Sequence, residues 1–218
     1  MKVEVLEKKD NKLIFMVDGI NNTIANTIRR IIIAEVPVLA VDEINFVKNQ
    51  TALYDEILAH RIGLIPIKTD LKAYSLKDEG GSKATTELKL ILKEKGPKTV
   101  FSGDLKSKDP KCVPVYDNIP LVTLLKDKEL VLEATAILGV GKEHMKFSPG
   151  LCYYVNAPIK FKNLSDLNLK ENQEVSKDKF IFFIESWEQL SCKEMFDESM
   201  KILDKKLDEF GKKIVKAK

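Results

Sequence analysis

The sequence predicts an α+β protein whose β-rich middle differs in texture from its two ends. Three observations carry this expectation. Near the N-terminus, two short stretches of alternating apolar and polar residues give way to helical periodicity. From Lys68 to about Pro149, lysine-rich alternating segments are broken by Gly80-Gly81, Gly96-Pro97 and Asp109-Pro110, as in strands joined by long loops. The last forty or so residues then combine a fully apolar strand with a long amphipathic helix.

Residues 2–7 and 12–18 read as an opening hairpin around Lys8-Lys9-Asp10-Asn11, and Asp18-Gly19 ends it. Asn21 or Asn22 can cap the next helix, because their side chains accept otherwise unpaired backbone N–H groups. At 100° per residue, Ile24, Ala25, Ile28, Ile31 and Ile32 form one stripe that must pack on the protein's own sheet. The opposite arc holds Asn22, Asn26, Arg29 and Arg30, with Ile33 among them. That composition suits a docking face better than a solvated one.

Pro37 stops the helix. Val36 to Lys48 then reads as extended, and Thr51 is expected to cap a short helix from Ala52 to Arg61 with Gly63 just beyond its end. Leu64-Ile-Pro-Ile is expected to be a short strand, and Thr86–Leu92, Val113–Tyr116 and Glu129–Leu138 are the strands expected of the middle region. Asn156 to Lys179 is polar and reads as a loop, whereas Lys179 to Trp187 is apolar on both faces, the pattern of a strand buried from two sides. Ser191 and Glu194 form a capping box that opens the terminal helix. Along it Phe196, Met200, Leu203, Leu207, Phe210 and Ile214 recur at alternating steps of four and three, a 3.5-residue seam suited to packing lengthwise on another helix. A helix lying on its own sheet also needs an apolar stripe, so the seam leaves both packings open. Met195 and Ile202 widen it.

Composition narrows the function classes. With 218 residues, 44% hydrophobic and 32% charged, the chain is expected to be a globular protein with substantial cores. Net charge is 36 − 33 = +3, and the lysines are interleaved with acids, which gives no basic patch for nucleic acid. No apolar run reaches the length of about 18 residues expected of a membrane span, and the N-terminus lacks the apolar segment of a signal peptide. Cys112, Cys152 and Cys192 lie 40 residues apart, which fits no zinc or iron–sulfur spacing and points to reduced thiols in a cytoplasmic protein. Gly139-Val-Gly141-Lys-Glu-His144 lacks the third glycine and the following helix that a phosphate loop requires. With only His60 and His144, a multi-histidine metal site is impossible, and no nucleophile elbow or Walker loop occurs.

All three arginines (Arg29, Arg30 and Arg61) fall between Gly19 and Ile67, although 36 residues are basic. Arginine presents a planar fork of donors that lysine lacks, which suits carboxylates or carbonyls at an interface. These arginines sit in two strings, Asn22-Thr-Ile-Ala-Asn-Thr-Ile-Arg-Arg-Ile-Ile-Ile-Ala-Glu-Val-Pro-Val-Leu-Ala-Val and Leu58-Ala-His-Arg-Ile-Gly-Leu-Ile-Pro-Ile. Both resemble the assembly signature of the D-type subunits of archaeal DNA-directed RNA polymerase. That family includes the third subunit of eukaryotic polymerase II and is related to the N-terminal domain of the bacterial alpha subunit. Gly139-Val-Gly-Lys-Glu-His-Met-Lys-Phe-Ser-Pro resembles a further family segment. The closing strand and helix are similar to the family's ending.

The resemblance implies a discontinuous dimerisation domain, a sheet plus two helices from both chain ends (1–45 and 156–218), with an inserted β-rich domain (46–155). It implies a non-catalytic assembly platform whose first and last helices pair with the small subunit L, the last through Phe196, Met200, Leu203, Leu207, Phe210 and Ile214. Asn26, Arg29, Arg30 and Ile33, with the His60-Arg61 turn, would then meet a large catalytic subunit. The small subunits N and P complete the implied partners, with no sequence-specific DNA contact and no membrane. Many archaeal relatives carry an added iron–sulfur domain; here 156–179 has no cysteine, so the domain is expected to be reduced to a loop and no cofactor is expected. The cysteine-rich zinc loop of the eukaryotic relative is missing as well. The competing class is a stand-alone ligand-binding protein or small enzyme on the same fold.

Overall fold

In the computed structural model of the chain, the described residues are 1–77, 80, 82–161, 163–164 and 174–216, without the side chains of 83, 84 and 216. The elements in chain order are β1 (Lys2–Lys9), β2 (Lys12–Asp18), α1 (Asn22–Ala34), β3 (Val38–Asn49), α2 (Asp55–Gly63), α3 (Lys83–Thr86), β4 (Glu87–Lys95) and β5 (Lys98–Phe101). They continue with β6 (Lys106–Ser107), β7 (Pro120–Leu124), β8 (Glu129–Gly139), β9 (Gly150–Pro158), β10 (Val175–Ser186) and α4 (Cys192–Lys216). The chain divides into two compact units, one formed by Met1–Val36 with Pro149–Lys218 and the other by Pro37–Ser148.

The first unit is built on an antiparallel sheet of order β1-β2-β10-β9. Its hairpin closes over Asp10-Asn11, where Lys9 pairs with Lys12. β10 lies between β2 and β9 and is apolar on both faces: Phe180, Phe182 and Ile184 are buried on one side and Ile181 on the other. Phe182 pairs with Phe15 of β2, and their rings stack with centroids 5.2 Å apart. α1 buries Ala25, Ile28, Ile31 and Ile32, as its periodicity requires. Ile24 departs from that stripe. It is 43% exposed, because the packed surface begins further in, at Ala25 and Ile28. Asn21 caps the helix by accepting the Ile24 N–H at 2.9 Å. Gly150 lets β9 approach β10, since a Cβ there would lie 2.1 Å from the Glu185 carbonyl oxygen.

The second unit holds a sheet of order β3-β8-β4-β6 and a ribbon of β5 and β7. Leu88, Leu90 and Leu92 of β4 and Leu130, Leu132 and Ala134 of β8 alternate into one core, closed by Leu58 and Ile62 of α2. This period-2 burial is what the lysine-interleaved sequence encodes.

Several elements differ from the sequence expectation. The unit boundaries fall at 36/37 and 148/149, not 45/46 and 155/156. The reason is pairing: β3 is hydrogen-bonded to β8 from Val38↔Gly139 to Asn49↔Leu130, while β9 pairs with β10 from Gly150 onward. α2 begins at Asp55 with Tyr54 as its cap residue, because the Thr51 hydroxyl is engaged with Leu53 in a local turn. Gly63 is its last helical residue, and Leu64 takes the cap position. Leu64–Ile67 and Val113–Tyr116 do not become strands. They meet in a single bridge, Ile67↔Pro114, since Pro66 and Pro114 lack the N–H groups a longer ladder needs. Of the span 156–179 expected to be a loop, residues 156–158 belong to β9 and 175–179 to β10; residues 162 and 165–173 lie outside the described residues. Cys112 sits in a bend before Val113.

Candidate interaction surfaces

α1 places its polar arc away from the buried stripe, but that arc is largely engaged within its own unit. The Asn26 side-chain oxygen accepts from Nε and Nη2 of Arg29 at 3.1 and 2.9 Å, so the Arg29 fork is held along the helix. Asn22 accepts from the Tyr154 hydroxyl at 2.7 Å. Ile33 is half-buried. Arg30 is exposed and, among the described residues, has no hydrogen-bond or ionic partner, which leaves its fork available.

In the second unit, His60 and Arg61 are both exposed on α2. Arg61 also has an internal role, donating from Nη2 to the Pro120 carbonyl at 2.7 Å and tying α2 to β7. Tyr54, Ile57 and Leu64 share the Arg61 face at three- and four-residue spacing and are 80, 50 and 51% exposed. Sequence reasoning passed over these three, although their spacing becomes legible once the helix is started at Asp55. Asn26, Arg29, Arg30 and Ile33 therefore form one cluster on the first unit. His60 and Arg61 form another on the second.

α4 divides into two halves. Ser191 and Glu194 form the expected capping box: the Glu194 N–H donates to the Ser191 hydroxyl at 3.2 Å and the Ser191 N–H to the Glu194 carboxylate at 2.9 Å. The first half packs on its own sheet through Cys192, Met195 and Ser199, all buried, and the Phe196 ring meets Phe15 edge-on at 5.1 Å. Met200 and Leu203 are half-buried. Beyond them Leu207, Phe210, Ile214 and Val215 are 59, 64, 48 and 75% exposed. The proximal part of the seam is thus internal core, and the distal part is an uncovered apolar stripe.

The remaining motifs have structural roles. Gly139 makes room for Phe147, whose ring would lie 2.7 Å from a Cβ at that position. The Lys146 ammonium lies 5.0 Å from the Phe147 ring centroid and donates to the Val41 carbonyl and the Asp42 carboxylate at 3.0 and 2.9 Å. His144 accepts the Lys146 N–H at 3.0 Å. Burial pushes the Cys112 thiol up to about 11 and the Cys152 thiol up to about 12, the latter against the opposing pull of Arg29. Such thiols are inert as nucleophiles at neutral pH. Among the described residues no three His, Cys, Asp or Glu side chains converge as metal ligands, and no helix is long and apolar enough to cross a membrane.

The family model described as the RNA polymerase Rpb3/RpoA insert domain matches residues 42–149, close to the second unit. The chain is 42% identical to DNA-directed RNA polymerase subunit Rpo3 of Methanosphaera stadtmanae over 77% of its own length and 66% of that relative, so it spans about two thirds of it. The protein of the same name from Pyrococcus horikoshii is 38% identical over 91% of this chain and 82% of the relative. That from Pyrobaculum aerophilum is 32% identical over 98% and 95%. Identity sustained across both units, together with a match centred on the inserted β unit, shows that the chain belongs to the family of archaeal DNA-directed RNA polymerase subunit Rpo3.

Proposed function

We propose that the chain is the assembly platform of a DNA-directed RNA polymerase, joining the small and large subunits without catalytic residues or a cofactor of its own. The observation that carries this reading is the uncovered stripe Leu207, Phe210 and Ile214 on a helix whose first half is anchored in its own core. Such a stripe fits a partner helix lying alongside, and the partner is the small subunit L. The half-buried Met200 and Leu203 extend that contact toward the core, and Phe196 anchors it internally. The exposed Arg30, beside Asn26, Arg29 and Ile33, forms one docking point for a large catalytic subunit. His60 and Arg61 with the Tyr54, Ile57 and Leu64 face form another. The small subunits N and P join the same assembly, which works in the cytoplasm and leaves sequence-specific DNA contacts to other subunits.

Site-specific photo-crosslinking in the assembled polymerase tests this. A benzophenone side chain at position 210 is expected to capture a small subunit, and one at position 30 a large subunit. Capture of a large subunit from position 210, or no capture from either, contradicts the assignment.

A further inference from the structure

The boundary between the anchored and bare halves of α4 coincides with an ion pair. Lys206 contacts both carboxylate oxygens of Glu35, the cap residue that ends α1. The two residues lie 171 positions apart in sequence, and the contact joins α1 to α4 within the first unit. Immediately before it, Ile202 and Leu203 are still half-buried; immediately after it, Leu207 is 59% exposed. From Leu207 to Lys216 runs a stretch of about 15 Å of helix. The Glu35 and Lys206 side chains are 29 and 51% exposed, so their pairing adds little to folding stability. The same contact bears on direction: α1 and α4 already pack against each other, and the pair adds the last tie between them at the point where the apolar stripe begins.

We infer that Glu35 and Lys206 are positioning residues for assembly: their ion pair fixes the direction of the distal half of α4 relative to α1, so that both helices present one rigid docking face. A face held in its bound geometry loses less conformational freedom on association than one on a swinging helix, and that difference appears as affinity. The inference rests on the proposed pairing with the small subunit, but the orientation of the helix is measurable without it.

Spin labels at Thr23→Cys on α1 and Glu209→Cys on α4, both exposed positions, report the interhelix distance in the full chain while the native thiols stay buried. A narrow distance distribution is expected for the native pair and a broad one for Glu35→Gln. The double exchange Glu35→Lys with Lys206→Glu is expected to narrow it again, and high salt to broaden it, since exposed charges are screened. Dissociation constants for the small subunit should rise about two- to fivefold in Glu35→Lys or Lys206→Glu alone and recover in the exchange, with melting temperatures of the chain little moved. An unchanged distribution in Glu35→Gln overturns the positioning role whatever the binding data show. If the native chain does not bind the small subunit, the partner assignment fails and the distance measurement still decides the positioning role.

Discussion

Replacing Leu207, Phe210 and Ile214 together by alanine separates a docking stripe from a core element. These side chains are 59, 64 and 48% exposed, so roughly half of their apolar surface is still open to a partner. Full burial of such a side chain contributes about 1.5–3 kcal/mol, and covering half of it about 1–1.5 kcal/mol. Three of them sum to about 3–4.5 kcal/mol, which corresponds to a loss of about two to three orders of magnitude in affinity. The isolated chain should keep its melting temperature, since alanine is the better helix former and little internal packing is lost. Met195→Ala is the control: that side chain is fully buried, and its truncation should cost the chain about 2–5 kcal/mol. Calorimetric titration with the small subunit and thermal unfolding of the chain alone read the two quantities. A melting shift in the triple variant as large as that of Met195→Ala, or an affinity within twofold of native, refutes the reasoning.

The remaining predictions concern the arginines, a glycine and the thiols. Arg30→Lys keeps the charge but loses the fork, and is expected to weaken recruitment of a large subunit while thermal unfolding stays unchanged; Arg61→Ala should instead lower stability by about 1 kcal/mol through the lost bond to Pro120. Gly150→Ala should disrupt β9–β10 pairing, because the new methyl meets the Glu185 carbonyl at 2.1 Å; circular dichroism on co-expressed protein reads the loss. Cys152 has its thiol raised from 9.0 to about 12 by burial, so the folded state holds its proton more tightly than the unfolded state. Stability should therefore be intact below pH 9.0 and fall as pH rises toward about 12, with a shallower fall in Cys152→Ala measured by denaturant unfolding. Elemental analysis of anaerobically purified complex should find neither iron nor zinc at stoichiometric levels.

Local chemistry was legible wherever neighbouring residues decide the outcome. The Asn21 cap, the Ser191–Glu194 box and the α1 stripe rest on local spacing, and each appears in the structure, the stripe without Ile24. The unit boundaries were less legible, because they are set by pairings such as Val38↔Gly139 that join residues about a hundred positions apart. The start of α2 was misread for a different reason: the Thr51 hydroxyl can cap a helix or close a turn, and here it closes a turn with Leu53. The terminal seam shows the limit of periodicity most plainly. Phe196 and Phe210 occupy equivalent positions in the repeat, yet one packs on Phe15 and the other is 64% exposed. Spacing identifies the stripe, and the extent of the sheet and of α1 beneath it decides how much is covered.

Co-expression of the chain with a candidate small subunit L, followed by gel filtration and light scattering, tests directly whether another polymerase subunit completes the bare half of α4. A stable 1:1 complex is expected, with the chain alone folded but self-associating reversibly through the exposed stripe as its concentration rises. A chain that elutes as a well-behaved monomer and gains no partner on co-expression contradicts that role.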